Sequence, residues 1–253
     1  MSINCIRTLI ENAATSDSDK TAVTFNDNSI TYAELLNKVN QVAFYLQELD
    51  LPQDSRIGIY STKGIDQVIA VLAILSTDYV LVPLTTLLKP EQVEYIINDC
   101  DIQCIITDTR QFKSIEAINF TGKIISYDTT NKDIASFEEI FKYYNKPYTC
   151  DINSYSNAVI TYSFGVSGQP KGIVISHRNL TDSARVASQY LNLKHDDVIS
   201  GLLIFNFDYG LNQIFSTLYK KATLALHRFI LPDDFFNHLI NDKVTVIPLM
   251  PVY

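Results

Sequence analysis

Basic residues are in the minority in this sequence. The chain carries 20 Lys and Arg against 28 Asp and Glu, for a net charge of −8, and the basic residues never gather into a run interleaved with aromatics. A surface of that sign repels a phosphate backbone, so nucleic acid is not an expected partner. Long apolar runs are missing too. The longest, Val68 to Leu75, falls well short of the roughly 20 residues a bilayer span needs. Met1 to Ala14 is interrupted by Arg7 and Glu11, which leaves no apolar signal-peptide core. Cysteine is scarce: Cys5, Cys100, Cys104 and Cys150. No second pair joins Cys100 and Cys104 to complete a zinc pattern, so reduced core thiols in a cytoplasmic protein are expected. His195, His227 and His238 are scattered without ligand spacing and read as surface or capping residues, and no metal site is assigned among them. There is no internal repeat and no low-complexity tract.

What is present is an alternation. Ile3 to Ala14 reads as a helix. Ala22 to Phe25 and Ser29 to Thr31 read as a hairpin about Asn26-Asp27-Asn28. Thr31 and Glu34 have capping-box spacing, followed by Leu35, Leu36, Val39, Val42, Ala43 and Leu46 at helical intervals, until Leu51-Pro52 breaks the run. Strands are expected at Arg56 to Tyr60, Tyr79 to Pro83, Ile102 to Thr107 and Lys123 to Tyr127. Helices are expected at Asp66 to Leu75, from Pro90, and at Phe112 to Ala117. A polar stretch, Lys146 to Asn157, reads as a connection between lobes. Beyond it come strands at Ala158 to Tyr162, Ile173 to Ser176, Val198 to Leu203, Thr223 to Leu226 and Val244 to Pro248. Helices are expected at Leu180 to Leu191, Leu211 to Leu218 and Pro232 to Ile240. Strands alternating with helices imply an α/β fold of largely parallel sheets flanked by helices, in two lobes of about residues 1–150 and 151–253.

The most informative segment is Ser163-Phe164-Gly165-Val166-Ser167-Gly168-Gln169-Pro170-Lys171-Gly172. Its glycines let backbone amides approach an anion, Ser163 and Ser167 offer hydroxyls, and Lys171 offers a mobile positive charge. Such a loop at the end of a buried strand suits a polyphosphate, with a plain glycine-rich turn as the alternative. It is not a Walker A loop, because Lys171 is followed by Gly172. Nor is it a serine-hydrolase elbow, which needs glycine where Gln169 stands.

Tyr162 to Gly172, continuing through Ser176-His177-Arg178-Asn179-Leu180, resembles the phosphate-binding signature of the AMP-forming acyl-CoA ligase and amino-acid adenylation superfamily. Ile30-Thr31-Tyr32-Ala33-Glu34-Leu35 and Val82-Pro83-Leu84 resemble two further segments of that family. The resemblance covers essentially the whole chain. It implies the N-terminal portion of an AMP-binding domain over residues 1–253. It also implies ATP and Mg²⁺ as cofactors, and a small carboxylic acid as substrate. The acyl group would pass to the thiol of coenzyme A or of a phosphopantetheine carrier. By this resemblance Ser163, Gly165, Ser167, Gly168 and Lys171 hold the phosphates, and His177 is structural. Phe164 and Val166 stand where the family has Ser or Thr. Each missing hydroxyl contact to a charged group is worth about 1.5–3 kcal/mol.

Phe207, Asp208, Tyr209 and Asn212 fall where the family lines its acid pocket. Phe207-Asp208 is similar to the amino-acid-activating members, whose Asp holds the substrate's amino group. Asp208 to Gln213 also resembles bacterial acyl-CoA ligases of exosortase systems, which keeps an ordinary acyl substrate open. A third role for Asp208 is capping a helix that starts near Gly210. The family's downstream adenine- and ribose-binding elements, and its small C-terminal domain with the catalytic Lys, are not found in the 253 residues. No catalytic residue is therefore assigned, and the isolated chain is expected to be inactive. It would be a fragment, one half of a split enzyme whose other half is a partner, or a non-catalytic binding module.

Overall fold

The computed structural model describes residues 5–144, 148–164, 170–228 and 232–249. The chain forms two compact units that are not sequential. One comprises residues 37–62 and 66–177. The other joins residues 1–36, 63–65 and 178–253. Tyr148 to Asn157, within the polar stretch expected to connect lobes, falls inside the first of these.

The unit of residues 37–62 and 66–177 is built on a seven-stranded sheet. Its strands are β3 (Arg56–Tyr60), β4 (Val80–Leu84), β5 (Ile102–Thr107), β6 (Lys123–Ser126), β7 (Ala135–Ser136), β8 (Asn157–Phe164) and β9 (Pro170–Ser176), in the order β7-β6-β5-β3-β4-β8-β9. All neighbours are parallel except the last pair, β8 and β9. The crossovers are α3 (Ile65–Ile74), α4 (Pro90–Asp99) and α5 (Phe112–Ala117). Every residue of α3 from Gln67 to Ile74 is buried. That is the signature of a helix enclosed on all sides, and it accounts for the apolar run that was too short to cross a bilayer. No helix among the described residues is long and apolar enough to cross a membrane.

One feature of this unit was not expected: β7 leads directly into α6 (Phe137–Tyr143). Ser136 and Glu139 form a reciprocal cap there. Ser136 Oγ accepts the Glu139 N–H at 3.2 Å, and Glu139 Oε2 accepts the Ser136 N–H at 3.3 Å. The Ser-x-x-Glu spacing that signals such a box was present in the sequence.

The other unit carries a four-stranded sheet, β10 (Val198–Gly201), β11 (Thr223–Leu226), β1 (Thr21–Phe25) and β2 (Asn28–Thr31), in that order. Strands β1 and β2 are the expected hairpin, closed by Asn26-Asp27 with Asn26 at φ 53°, as a tight two-residue turn requires. Helices α1 (Ile6–Ser16), α8 (Asp208–Lys220) and α9 (Pro232–Asn241) belong to this unit. The Thr31–Glu34 box opens α2 (Tyr32–Glu48) as expected, with Thr31 N–H on Glu34 Oε2 at 2.8 Å. The strand expected over Val244 to Pro248 is reduced to a single bridge, Ile199 to Val246. Helix α7 (His177–Tyr190) starts three residues before the expected Leu180.

Cys5, Cys100 and Cys104 are free thiols. Cys104, fully buried in β5, has its thiol pushed up to about 12 by desolvation, which makes it inert. Cys5 is buried as well, whereas Cys100 and Cys150 are only half-buried.

Candidate functional site

Two of the residues expected to hold phosphate, Ser163 and Lys171, lie where β8 runs out and β9 begins. Ser163 pairs in register with Lys171, and Tyr162 with Gly172. At the neck, Gly172 lies under the Tyr162 ring, and a Cβ there would stand 3.3 Å from ring carbon Cζ. Tyr162 donates its hydroxyl to Asp99 Oδ2 at 2.6 Å, which pins the hairpin to the end of α4. Burial first, and the Asp99 carboxylate second, push this phenol's pKa up, so it stays a donor. One step further out, Ser163 and Lys171 are both exposed. A hydroxyl and an ammonium therefore stand side by side at the root of the loop. Gly165, Ser167 and Gly168 lie outside the described residues.

His177 follows β9 and is 1% exposed, with no hydrogen-bond partner on Nδ1 among the described residues. Desolvation pushes its pKa down to about 4, so the ring is neutral in the fold, consistent with the structural role expected. In the unfolded chain the ring binds a proton near pH 6.5. Stability that is full above about pH 6.5 is therefore lost as pH falls toward 4, by about 3 kcal/mol in total. His177→Gln is expected to remove this portion of the acid slope in urea-unfolding midpoints, whereas a wild-type slope in the variant would contradict the assignment.

The acid-pocket residues belong to the other unit. Helix α8 starts at Asp208, with Phe207 as its N-cap and no side-chain cap bond. This corrects the expectation that Asp208 caps a helix beginning near Gly210. Asp208 sits inside the first turn, where Oδ1 accepts the Tyr209 N–H at 2.8 Å. A carboxylate is favoured there by the unpaired N–H groups and the helix dipole. Asp208 and Tyr209 are exposed and Phe207 is half-buried. Asn212 is engaged at both ends of its amide: Nδ2 donates to Ser183 Oγ at 2.7 Å, and Oδ1 accepts from Ser216.

The segment between β10 and α8 is held in three ways. Gly210 packs directly on the backbone, and an added Cβ would fall 1.8 Å from the Ile204 carbonyl oxygen. Gln213, 4% exposed, accepts the Leu203 N–H at 3.3 Å and donates to the Gly210 carbonyl at 2.9 Å. Lys63 reaches the carbonyls of Gly201, Leu202 and Leu203 at 2.8, 2.7 and 2.9 Å. The sequence could not single out Lys63. Its position after a strand and before Gly64 marks a loop, but its acceptors lie about 140 residues away, the Leu203 carbonyl being 140 along the chain.

A second arrangement hidden from the sequence involves His227, which is 2% exposed rather than on the surface. Its Nε2 faces Asp242 Oδ2 at 2.8 Å, and its Nδ1 faces Ser200 Oγ at 2.8 Å. With Asp242 accepting at Nε2, the neutral ring has Nδ1 as acceptor and Ser200 donates. Ser200 is fully buried, so no substrate reaches it as a nucleophile. The trio ties β10 to the residue just past β11 and the residue just past α9.

The described residues partly fit the implied cofactors. Ser163 and Lys171 present the donor and charge that a polyphosphate takes, while among the described residues no three His, Cys, Asp or Glu side chains come together to hold a metal ion.

These sheets, largely parallel and flanked by helices, define an α/β fold, and comparison with known proteins specifies it further. The model of the AMP-binding enzyme family matches residues 10–253, and the chain belongs to that family. Tyrocidine synthase 1 of Brevibacillus parabrevis is 26% identical over 251 residues, covering 98% of this chain and 22% of the relative. Gramicidin S synthase 1 of Brevibacillus brevis is 27% identical over 251 residues, with the same 98% and 22% coverage. Among solved structures, a protein of Rhodopseudomonas palustris assigned as a long-chain-fatty-acid CoA ligase superposes with a TM-score of 0.87 at 18% identity, covering 96% of this chain and 62% of that one. The complex of VinN with L-aspartate gives 0.87 at 19% identity, covering 97% and 62%. The chain thus spans less than two thirds of these solved structures and about a fifth of the curated relatives.

Proposed function

We propose that this chain is the phosphate- and acid-binding portion of an AMP-forming adenylating enzyme. The observation that carries the reading is the β8–β9 hairpin, with exposed Ser163 and Lys171 paired at its mouth and Tyr162 anchoring its neck. ATP bound with Mg²⁺ would supply an α-phosphate for attack by a carboxylate oxygen, with pyrophosphate as the leaving group. Lys171 would place its ammonium against the leaving phosphates and Ser163 would donate its hydroxyl to a phosphate oxygen. Gly165, Ser167 and Gly168 would complete the loop. Catalysis of this kind is mostly positioning and charge stabilisation. The acyl group would then pass to a thiol, on coenzyme A or on a carrier protein.

In the acid site, Phe207 and Tyr209 flank Asp208. The second carboxylate oxygen of Asp208 carries no hydrogen bond among the described residues and would receive a substrate amino group. The amino-acid reading is supported by the Phe207-Asp208 pair and by the likeness to VinN, whose solved complexes hold L-aspartate and 3-methylaspartate. The exosortase-type likeness of Asp208 to Gln213 makes a fatty acid the competing substrate. Asn212, engaged with Ser183 and Ser216, would serve by holding α8 in place.

Asp208→Asn separates the two substrates. About tenfold weaker binding is expected for amine-bearing acids and no change for simple fatty acids. An Asn variant that binds amino acids as wild type does would remove Asp208 from amine recognition. The chain alone is expected to bind ATP and to give no acid-dependent pyrophosphate exchange, and a polypeptide carrying both the adenine- and ribose-binding elements and the small C-terminal domain is expected to restore it. Phe164 and Val166 favour a second reading, a binding module that kept the fold and lost the chemistry. An absence of ATP binding, with no exchange after complementation, would select that reading.

A further inference from the structure

Three consecutive carbonyls, those of Gly201, Leu202 and Leu203, converge on one nitrogen, Lys63 Nζ, at 2.7–2.9 Å. Successive carbonyls of a strand point in opposite directions, so this convergence means that the chain has left the path of β10 and curled around the ammonium. The His227 carbonyl, just past β11, approaches the same nitrogen at 3.4 Å. Without a cation at the centre, these carbonyl dipoles would face one another and repel.

We propose that Lys63 is a positioning residue for the acid-binding segment. Its ammonium gathers the carbonyl ends of β10 and β11 and thereby fixes the direction in which the chain runs on to Phe207 and Asp208. The part of this inference that concerns acid binding rests on the adenylation reading; the clamp itself does not. Ligand sites in parallel sheets form beyond the carboxyl ends of the strands, and that is where Lys63 acts. Its backbone and its head are held as well. Arg228 donates to the Lys63 carbonyl, and the Lys63 ammonium lies 5.1 Å from the centre of the buried Phe205 ring. Gln213 holds the far side of the same segment.

The groups facing Lys63 make the clamp responsive to pH. Burial, and behind it the Arg228 guanidinium, push the ammonium down to about 7. The His227 ring, paired with Asp242 and near His238, is the other titratable neighbour, and burial holds its pKa low. The three carbonyls act in the opposite sense, because a neutral amine has only two N–H groups and would turn its lone pair on the third. The clamp is therefore closed at acid to neutral pH and loosens above it.

The test is hydrogen exchange of the amides from Leu202 to Gln213, corrected for intrinsic rates, in wild type, Lys63→Met and Lys63→Arg. Wild type is expected to lose about tenfold of its protection in this segment between about pH 6 and pH 9, while the body of α8 stays protected. Lys63→Met is expected to be unprotected at both pH values, and Lys63→Arg to restore protection at both, because guanidinium keeps its charge. A Met variant as protected as wild type at about pH 6, or a wild type whose protection does not change with pH, would overturn the clamp. Should Lys63→Met fail to fold, the wild-type pH series and the Arg variant still decide. None of these measurements needs a substrate. A segment that behaves as expected in a chain that binds neither ATP nor any acid would sink the adenylation reading alone.

Discussion

Gly210→Ala is expected to destabilise the unit that contains α8 by about 3 kcal/mol or more, the upper end of overpacking costs. The added Cβ would fall 1.8 Å from the Ile204 carbonyl oxygen and 2.8 Å from its carbon. These obstacles are backbone and cannot rotate away, so either the first turn of α8 or the segment from Leu202 to Phe207 must move. Both carry the candidate acid-binding residues. Against a typical stability of about 5–15 kcal/mol, the loss would lower the urea midpoint sharply. Gly64→Ala is the matched control, since its nearest neighbour, Phe25, is 4.0 Å away and the space is open. A Gly210→Ala chain with a wild-type midpoint would show that α8 does not rest on Ile204 as described.

Lys171→Ala is expected to weaken ATP binding about ten- to hundredfold, corresponding to the loss of one charge-assisted contact of about 1.5–3 kcal/mol. Stability should be unaffected, because Lys171 is exposed and its backbone pairing with Ser163 is kept. Titration calorimetry with ATP reads the effect directly. On the proposed reading, Phe164 and Val166 stand at two hydroxyl positions of the signature, so a larger share of the binding would fall to Lys171 and Ser163. An unchanged dissociation constant in the alanine variant would detach the hairpin from nucleotide recognition.

Much of the fold was legible because local signals coincided with tertiary need. The Thr31–Glu34 box, the Asn26 turn, Pro90 at a helix start and the alternation of apolar strands with helices all have local causes, and all appear where expected. The strand expected at Val244 to Pro248 failed for a non-local reason: strand propensity alone does not supply a paired neighbour, and only Val246 bridges Ile199. Helix α8 starts at Asp208 rather than near Gly210, and that glycine packs against the Ile204 carbonyl, a contact no window of sequence reveals. The same holds for the site. Its motif residues were readable as a string, whereas the groups that hold them, Lys63, Gln213 and the Tyr162–Asp99 bond, are assembled from distant parts of the chain.

The four-stranded sheet has a bearing on how the molecule is made. Strand β1 lies between β2 and β11, and the Thr223 hydroxyl meets the Thr21 carbonyl across 202 residues. On the ribosome, the β1–β2 hairpin emerges ahead of residues 37–177, which hold a seven-stranded sheet, and must wait with one edge bare while they come out and fold. Closing so long a loop is slow, and an uncovered strand edge invites pairing with other nascent chains. Residues made later thus complete a sheet begun earlier, and stalled synthesis before β11 would leave a folded middle with a sticky β1 edge.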